Sequence, residues 1–134
     1  MSERNKAVVR AYVEAFNRGD LDGVCRCFAP DGVVQGVLGW GRIPEVRPIW
    51  QDLIDCFHLN LEVQAMVAEG DQVAVRYLER GTSVRPFRGG PGPTAKSYEI
   101  VAMEWFEFED GLIRRRFGAR DSAAQARQMG LLPP

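Results

Sequence analysis

The chain has 134 residues and a formal net charge of -1, with 46% hydrophobic and 26% charged residues. That is the size of one domain with an ordinary globular balance, which excludes a disordered or fibrous chain. The absence of a basic excess argues against a nucleic-acid binder and against a membrane-surface protein.

The first residues carry charge every few positions and no apolar stretch, so they do not read as a signal peptide. No run approaches the ~18 apolar residues of a membrane span. The three cysteines, Cys25, Cys27 and Cys56, are an odd set without a secretory signal, which points to reduced thiols and a cytoplasmic protein. They have no redox or zinc spacing, and His58 is the only histidine, so neither a metal nor an organic cofactor is expected. Arginine supplies nearly all of the basic residues, a bias that points to a GC-rich bacterial genome.

The predicted elements follow in chain order. Val8, Val9, Tyr12, Val13 and Phe16 have the spacing of an amphipathic helix over 3–17, stopped at Asn17-Arg18-Gly19. Asp20 caps a short second helix carrying Leu21, Val24 and Phe28, which Ala29-Pro30-Asp31-Gly32 ends as a turn. Val33 to Val37 reads as a strand. Residues 44–57 hold the strongest helical stripe, Val46, Ile49, Trp50, Leu53, Ile54 and Phe57. Pro44 suits a first turn, whereas Pro48 predicts that regular helix begins only there.

From residue 59 the period becomes two: Leu59, Leu61, Val63 and Ala65, then Val73, Val75 and Tyr77 after the turn Glu69-Gly70-Asp71. Prolines and glycines make 83–96 a loop, with Phe87 where a cavity mouth should be. Long strands follow over 97–108 and from Leu112 to Ala119, joined by Glu109-Asp110-Gly111. Ser122 can cap a last short helix over 123–129. Helices followed by hairpin-connected strands imply one α+β domain over residues 1–134. Its helices cover one face of a curved antiparallel sheet and enclose a cone-shaped hydrophobic cavity.

The order of elements, with Ala29-Pro30-Asp31 after the second helix, resembles the nuclear transport factor 2-like cone fold. Four strings resemble the SnoaL-like polyketide cyclase family in particular: Ala15-Phe16-Asn17-Arg18-Gly19-Asp20-Leu21-Asp22, the hairpin Val67 to Arg76, the hairpin Phe106 to Ile113, and Arg120-Asp121 followed by Arg127 to Pro133. The resemblance runs in order over nearly the whole chain. It implies a cofactor-free enzyme in which an Asp just after the last strand, here Asp121, removes an acidic proton and drives an intramolecular aldol ring closure. Desolvation in an apolar cone favours the neutral acid, which suits that role. The other reading is that Asp121 caps the last helix.

The cyclases of the family carry a His in the long strand where this chain has Glu104. Alternation places Glu104 with Ala102, Phe106 and Phe108 on the cavity side. It is then either a second acid beside Asp121 or one half of an ion pair with an arginine of the next strand. Arg114, Arg115 and Arg116 must split between the two faces. Without a bulge, Ile113, Arg115, Phe117 and Ala119 turn inward with Asp121; a bulge near Gly118 exchanges them for Arg114 and Arg116. On that first register Arg115, Phe106 and Phe117 bind substrate from the sheet. Tyr12, Trp40 and Trp50 line the cavity from the helix side, unless each simply packs the core. Arg120 faces away from Asp121, and His58 is a surface or capping residue rather than a base.

Val101, Met103 and Trp105 alternate on the opposite face, which predicts a homodimer through the sheet. The expected partner is a small hydrophobic molecule, with no nucleic acid and no membrane. The function implied is acid/base catalysis on a hydrophobic carbonyl compound, as in a polyketide cyclase. The alternatives are a cofactor-independent polyketide hydroxylase and a non-catalytic small-molecule binding protein of the same fold.

Overall fold

The computed structural model describes residues 2–36 and 39–131. Within them the chain forms α1 (Ser2–Asn17), α2 (Leu21–Arg26), β1 (Phe28–Gly36), β2 (Gly39–Arg42), α3 (Ile43–Phe57), β3 (Asn60–Glu69), β4 (Gln72–Thr82), β5 (Ser97–Glu109), β6 (Leu112–Arg120) and α4 (Ser122–Gln128), with a single 3-10 turn at Phe87–Gly89. The strands make one sheet in the order β2-β1-β6-β5-β4-β3. Helices lie across one face of this curved open sheet, the α+β cone expected from the sequence.

Local chemistry explains most boundaries. Asp20 caps α2, its Oδ1 accepting the Gly23 amide at 2.9 Å. α3 starts at Ile43, earlier than Pro48 suggests. Pro44 lies in its first turn and Pro48 inside it, so the bond lost at Pro48 is the one to the carbonyl of Pro44. Glu45 closes the helix start by accepting the Arg42 amide at 2.9 Å. Asn17 ties α1 to β3: its Nδ2 donates to the Leu61 carbonyl at 2.8 Å, and its Oδ1 accepts the Leu61 amide at 2.7 Å. Asp110 and Gly111, at φ 52° and 79°, turn β5 into β6 with the left-handed backbone that Asp-Gly favours.

Three features of the sheet depart from the sequence reading. β1 begins at Phe28, and the expected turn Ala29-Pro30-Asp31-Gly32 is an irregularity within that strand, between the pairs Phe28–Ile113 and Val33–Arg115. The sheet is not wholly antiparallel, because β1 pairs in parallel with β6. A short strand, β2, pairs with β1 through Gly39 to Arg42 and carries no apolar alternation that would announce it. Val37, at the end of the expected first strand, lies outside the described residues, as do Leu132 and Pro133 of the C-terminal string.

The register of β6 decides the site. Glu107 pairs with Arg115, but Phe108 pairs with Ile113, so Arg114 is an extra residue in β6. This bulge reverses the alternation beyond it. Ile113 faces the core at 0% exposure, and the next inward residue is Arg116, followed by Gly118 and Arg120.

Candidate functional site

A cavity of about 150 Å³ lies between the helices and the sheet. An apolar cavity of that size holds at least one aromatic ring. α1 contributes Tyr12 and Phe16, α3 contributes Ile49, Trp50 and Leu53, and Phe87 reaches in from the loop between β4 and β5. Phe87 packs at a tilt against Phe57, with ring centroids 5.1 Å apart, and its neighbour Arg88 pairs with Asp52 of α3 at 2.8 Å. The aromatic wall is continuous: Tyr12 meets Phe106 at 5.2 Å, and Trp50 meets Phe16 and Phe28 at 5.9 Å each.

Into this apolar space the sheet sets two carboxylates, each held by an arginine. Glu104 of β5 accepts a hydrogen bond from Tyr77 Oη at 2.9 Å and a shared one from Tyr12 Oη at 3.2 Å to both oxygens. Arg116 Nη1 donates to its Oε2. Both charged side chains are 10% exposed. Glu79 of β4 is held in the same way: Arg120 donates to it through Nε at 3.1 Å and through Nη2, and Tyr98 Oη donates at 2.6 Å. Gly118 leaves room for the Arg116 guanidinium, since a Cβ there would stand 3.0 Å from its Nη1.

The electrostatics follow from burial. Desolvation raises the pKa of the Tyr12 and Tyr77 hydroxyls well above the ordinary tyrosine range, and the adjacent Glu104 carboxylate pushes them further. Both therefore remain neutral donors. Burial opposes the charge of Arg116, yet the adjacent Glu104 carboxylate holds its pKa above the usual value. The Arg116 Nε is buried without a hydrogen-bond partner among the described residues. No group of three or more His, Cys, Asp or Glu that would hold a metal occurs among those residues, and no helix there is long and apolar enough to cross a membrane.

The residues expected at the site divide into two groups. Glu104, Tyr12 and Trp50 line the cavity together. Arg115 does not: the bulge turns it outward, where it pairs with Glu107 at 3.0 Å, and the ion pair of Glu104 is made by Arg116 instead. The same reversal turns Phe117 out against Trp40, at 5.3 Å, and leaves Trp40 55% exposed outside the cavity. Phe106 points inward but is sealed beneath Tyr12 at 0% exposure. Asp121 is exposed, and its Oδ1 accepts the Ala124 amide at 2.9 Å as the N-cap of α4, the position expected for Ser122. Arg120 faces the cavity rather than away from it. His58 is an exposed C-cap of α3 at φ 48°.

Glu79 and Tyr77 went unassigned as site residues, although the phase of Val73, Val75 and Tyr77 continues directly to Glu79. Val101, Met103 and Trp105 stand on the outer face, 46–54% exposed, beside Val67.

A family model described as a SnoaL-like domain matches residues 9–116. No curated protein matches the chain at a significant level. Among solved structures, AclR, a candidate hydroxylase from Streptomyces galilaeus, is 26% identical, with a TM-score of 0.88 over 99% of this chain and 100% of its own. IdmH, a candidate polyketide cyclase from Streptomyces antibioticus, is 27% identical, with a TM-score of 0.81 over 94% of this chain and 98% of its own. A candidate polyketide cyclase from Xanthomonas campestris, at 24% identity and a TM-score of 0.88 over 96% and 98% of the two chains, shares the fold. Matched from Val9 to Arg116, the chain belongs to the SnoaL-like domain family, whose nuclear transport factor 2-like cone is the fold described above.

Proposed function

We propose that the protein is a cofactor-free enzyme that moves a proton at carbon in a hydrophobic carbonyl compound, in the manner of a polyketide cyclase. The observation that carries this reading is the Glu104 carboxylate, set in an apolar ring-sized cavity beside Arg116. A carboxylate is a modest base, so the proton it takes is an activated one, on carbon between two carbonyl groups. Arg116 lies where it stabilises the enolate oxygen that develops, and Tyr12 and Tyr77 hold Glu104 in place as neutral donors. The enolate carbon then attacks a second carbonyl of the same molecule to close a ring, and the alkoxide so formed takes the proton back from Glu104. Glu104 thus takes the part that the family resemblance gives to Asp121, and Asp121 acts as the cap of α4. The likeness to IdmH supports this reaction class.

The likeness to AclR favours a second reading, in which the same carbanion adds dioxygen and a proton to give a hydroperoxide, and an external two-electron reductant such as a thiol cleaves its O–O bond to leave the hydroxyl and water. We also propose that the protein works in the cytoplasm of a bacterium, as a dimer joined through Val101, Met103 and Trp105. The test is proton exchange: an aryl 1,3-diketone in deuterated buffer should lose its methylene proton signal faster with the protein than with buffer alone. Glu104→Gln should abolish that acceleration. Exchange without oxygen uptake supports the cyclase reading, and exchange with oxygen uptake the hydroxylase. A ligand that binds without accelerated exchange makes the cone a binding module and overturns the enzymatic proposal.

A further inference from the structure

Glu79 and Arg120 at the cavity wall form a second polar cluster with the buried Tyr98 behind them, and the chemistry proposed above leaves it unused. We propose that this cluster is a second ligand-binding station. On that basis the cavity takes an uncharged, flat, apolar molecule carrying an oxygen function at each end, one held by Arg116 and the other by Arg120. The inference rests on the cavity being the ligand site.

Three observations carry it. First, each arginine is committed to its carboxylate through only part of its guanidinium. Arg116 Nη2 and Arg120 Nη1 make no hydrogen bond among the described residues, and both side chains line the cavity. Each leaves donors for a ligand oxygen, and a guanidinium donates in a fixed plane.

Second, the charges balance. Two carboxylates and two guanidiniums line the cavity, with Tyr12 and Tyr77 neutral. A charged ligand would be desolvated there without net compensation, whereas a neutral one with oxygen acceptors meets donors at both ends. A buried ion pair is also a poor source of stability compared with apolar residues, so two of them on one cavity wall are better explained by what they bind.

Third, the stations are spaced along one face. Arg116, Gly118 and Arg120 follow one another inward on β6, and four residues of strand span about 13 Å. Their carboxylates carry the same offset, since Glu79 pairs with Ile100, four residues from Glu104 on β5, so the two stations stand apart along the wall. Between the stations the wall is Ala102 and the ring of Tyr77, paired across β5 and β4, which suits a flat body.

The test is calorimetric titration at neutral pH with 2-naphthol, 2,6-dihydroxynaphthalene and 6-hydroxy-2-naphthoate. In the unaltered protein the diol should bind at least ~10-fold more tightly than 2-naphthol, the factor expected for one hydrogen bond to a charged group. The naphthoate should bind no more tightly than the diol. In the double variant Glu79→Gln/Arg120→Met, checked for folding by its thermal melt, the diol should fall to the affinity of 2-naphthol, itself unchanged. Equal binding of diol and 2-naphthol by the unaltered protein, or a preference for the naphthoate, overturns the second station and leaves the cavity reading intact. So does a diol advantage that survives in the double variant. Failure of all three compounds to bind overturns the cavity reading itself, and the second station with it.

Discussion

Raising the pH should unfold this protein in a single step without a preceding tyrosine titration. The three tyrosines of the chain, Tyr12, Tyr77 and Tyr98, are 1%, 0% and 3% exposed, and each donates to a buried carboxylate. Burial first, and the neighbouring Glu104 or Glu79 second, raise all three above the ordinary tyrosine value. In the unfolded chain each loses its proton near pH ~10. Above that pH the unfolded state binds fewer protons than the folded one, so stability falls as pH rises; below it the contribution is fully present. Each group takes ~1.4 kcal/mol per pH unit, and three take ~4 kcal/mol per unit. A domain stable by ~5–15 kcal/mol is therefore exhausted roughly 1–4 units above pH ~10. Tyrosinate absorbance and far-ultraviolet circular dichroism, followed together, should trace one coincident transition. A tyrosine that ionises near pH ~10 while the dichroism stays native would refute the hydrogen-bonded burial from which the estimate is built.

Arg116→Met should lower stability by about 3–5 kcal/mol, because it leaves Glu104 charged and unpaired; for a chain of this length that is a drop of about 14 °C in the melting temperature. The double variant Glu104→Leu/Arg116→Met should recover most of that loss, and a double variant as unstable as the single one would remove the pair as the cause. Asp121→Asn should keep both activity and stability, whereas Asp121→Ala should cost ~1 kcal/mol in denaturant unfolding; a loss of turnover in the Asn variant would return Asp121 to the chemistry. Trp105→Glu should shift the protein toward monomer in sedimentation, since an interface formed by Val101, Met103 and Trp105 would bury an unpaired charge, and a parent protein that sediments as a monomer at micromolar concentration would end the dimer proposal.

The fold was legible because its signals are local and repeated. The stripe Val8, Val9, Tyr12, Val13 and Phe16 specifies the inner side of α1, and all are buried except the half-buried Val8. The alternations through Val73, Val75 and Tyr77 and through Ala102, Glu104, Phe106 and Phe108 identify β4, β5 and their inward faces. Asp20 and Asp110-Gly111 announce a cap and a turn by side-chain chemistry alone. The strand β2 gave no such signal. Gly39-Trp40-Gly41-Arg42 has neither alternation nor β-branched residues, and it is a strand because Val33 to Gly36 offer it an edge. Pro48 misled for a related reason: one missing hydrogen bond inside α3 is outweighed by the burial of Val46, Trp50 and Phe57 against the core.

The site was legible only up to the point where one residue changes parity. Glu104 could be placed inside because β5 pairs with β4 in unbroken register from Glu107 to Ser97. Its partner could not be placed, since three consecutive arginines look alike in the sequence and the extra residue at Arg114 is set by pairing with β5, not by any local turn chemistry. That single insertion moves Arg115 and Phe117 out and brings Arg116 and Arg120 in. It also puts Asp121 out of phase with the cavity, where it caps α4. An Asp followed by Ser-Ala-Ala carries the capping signal whichever way the strand before it faces, so the family resemblance and the local chemistry pointed to one residue for different reasons. Only the register separates them, and it assigns the buried carboxylates of the cone to Glu104 and Glu79, on strands whose alternation could be counted from the hairpin turns.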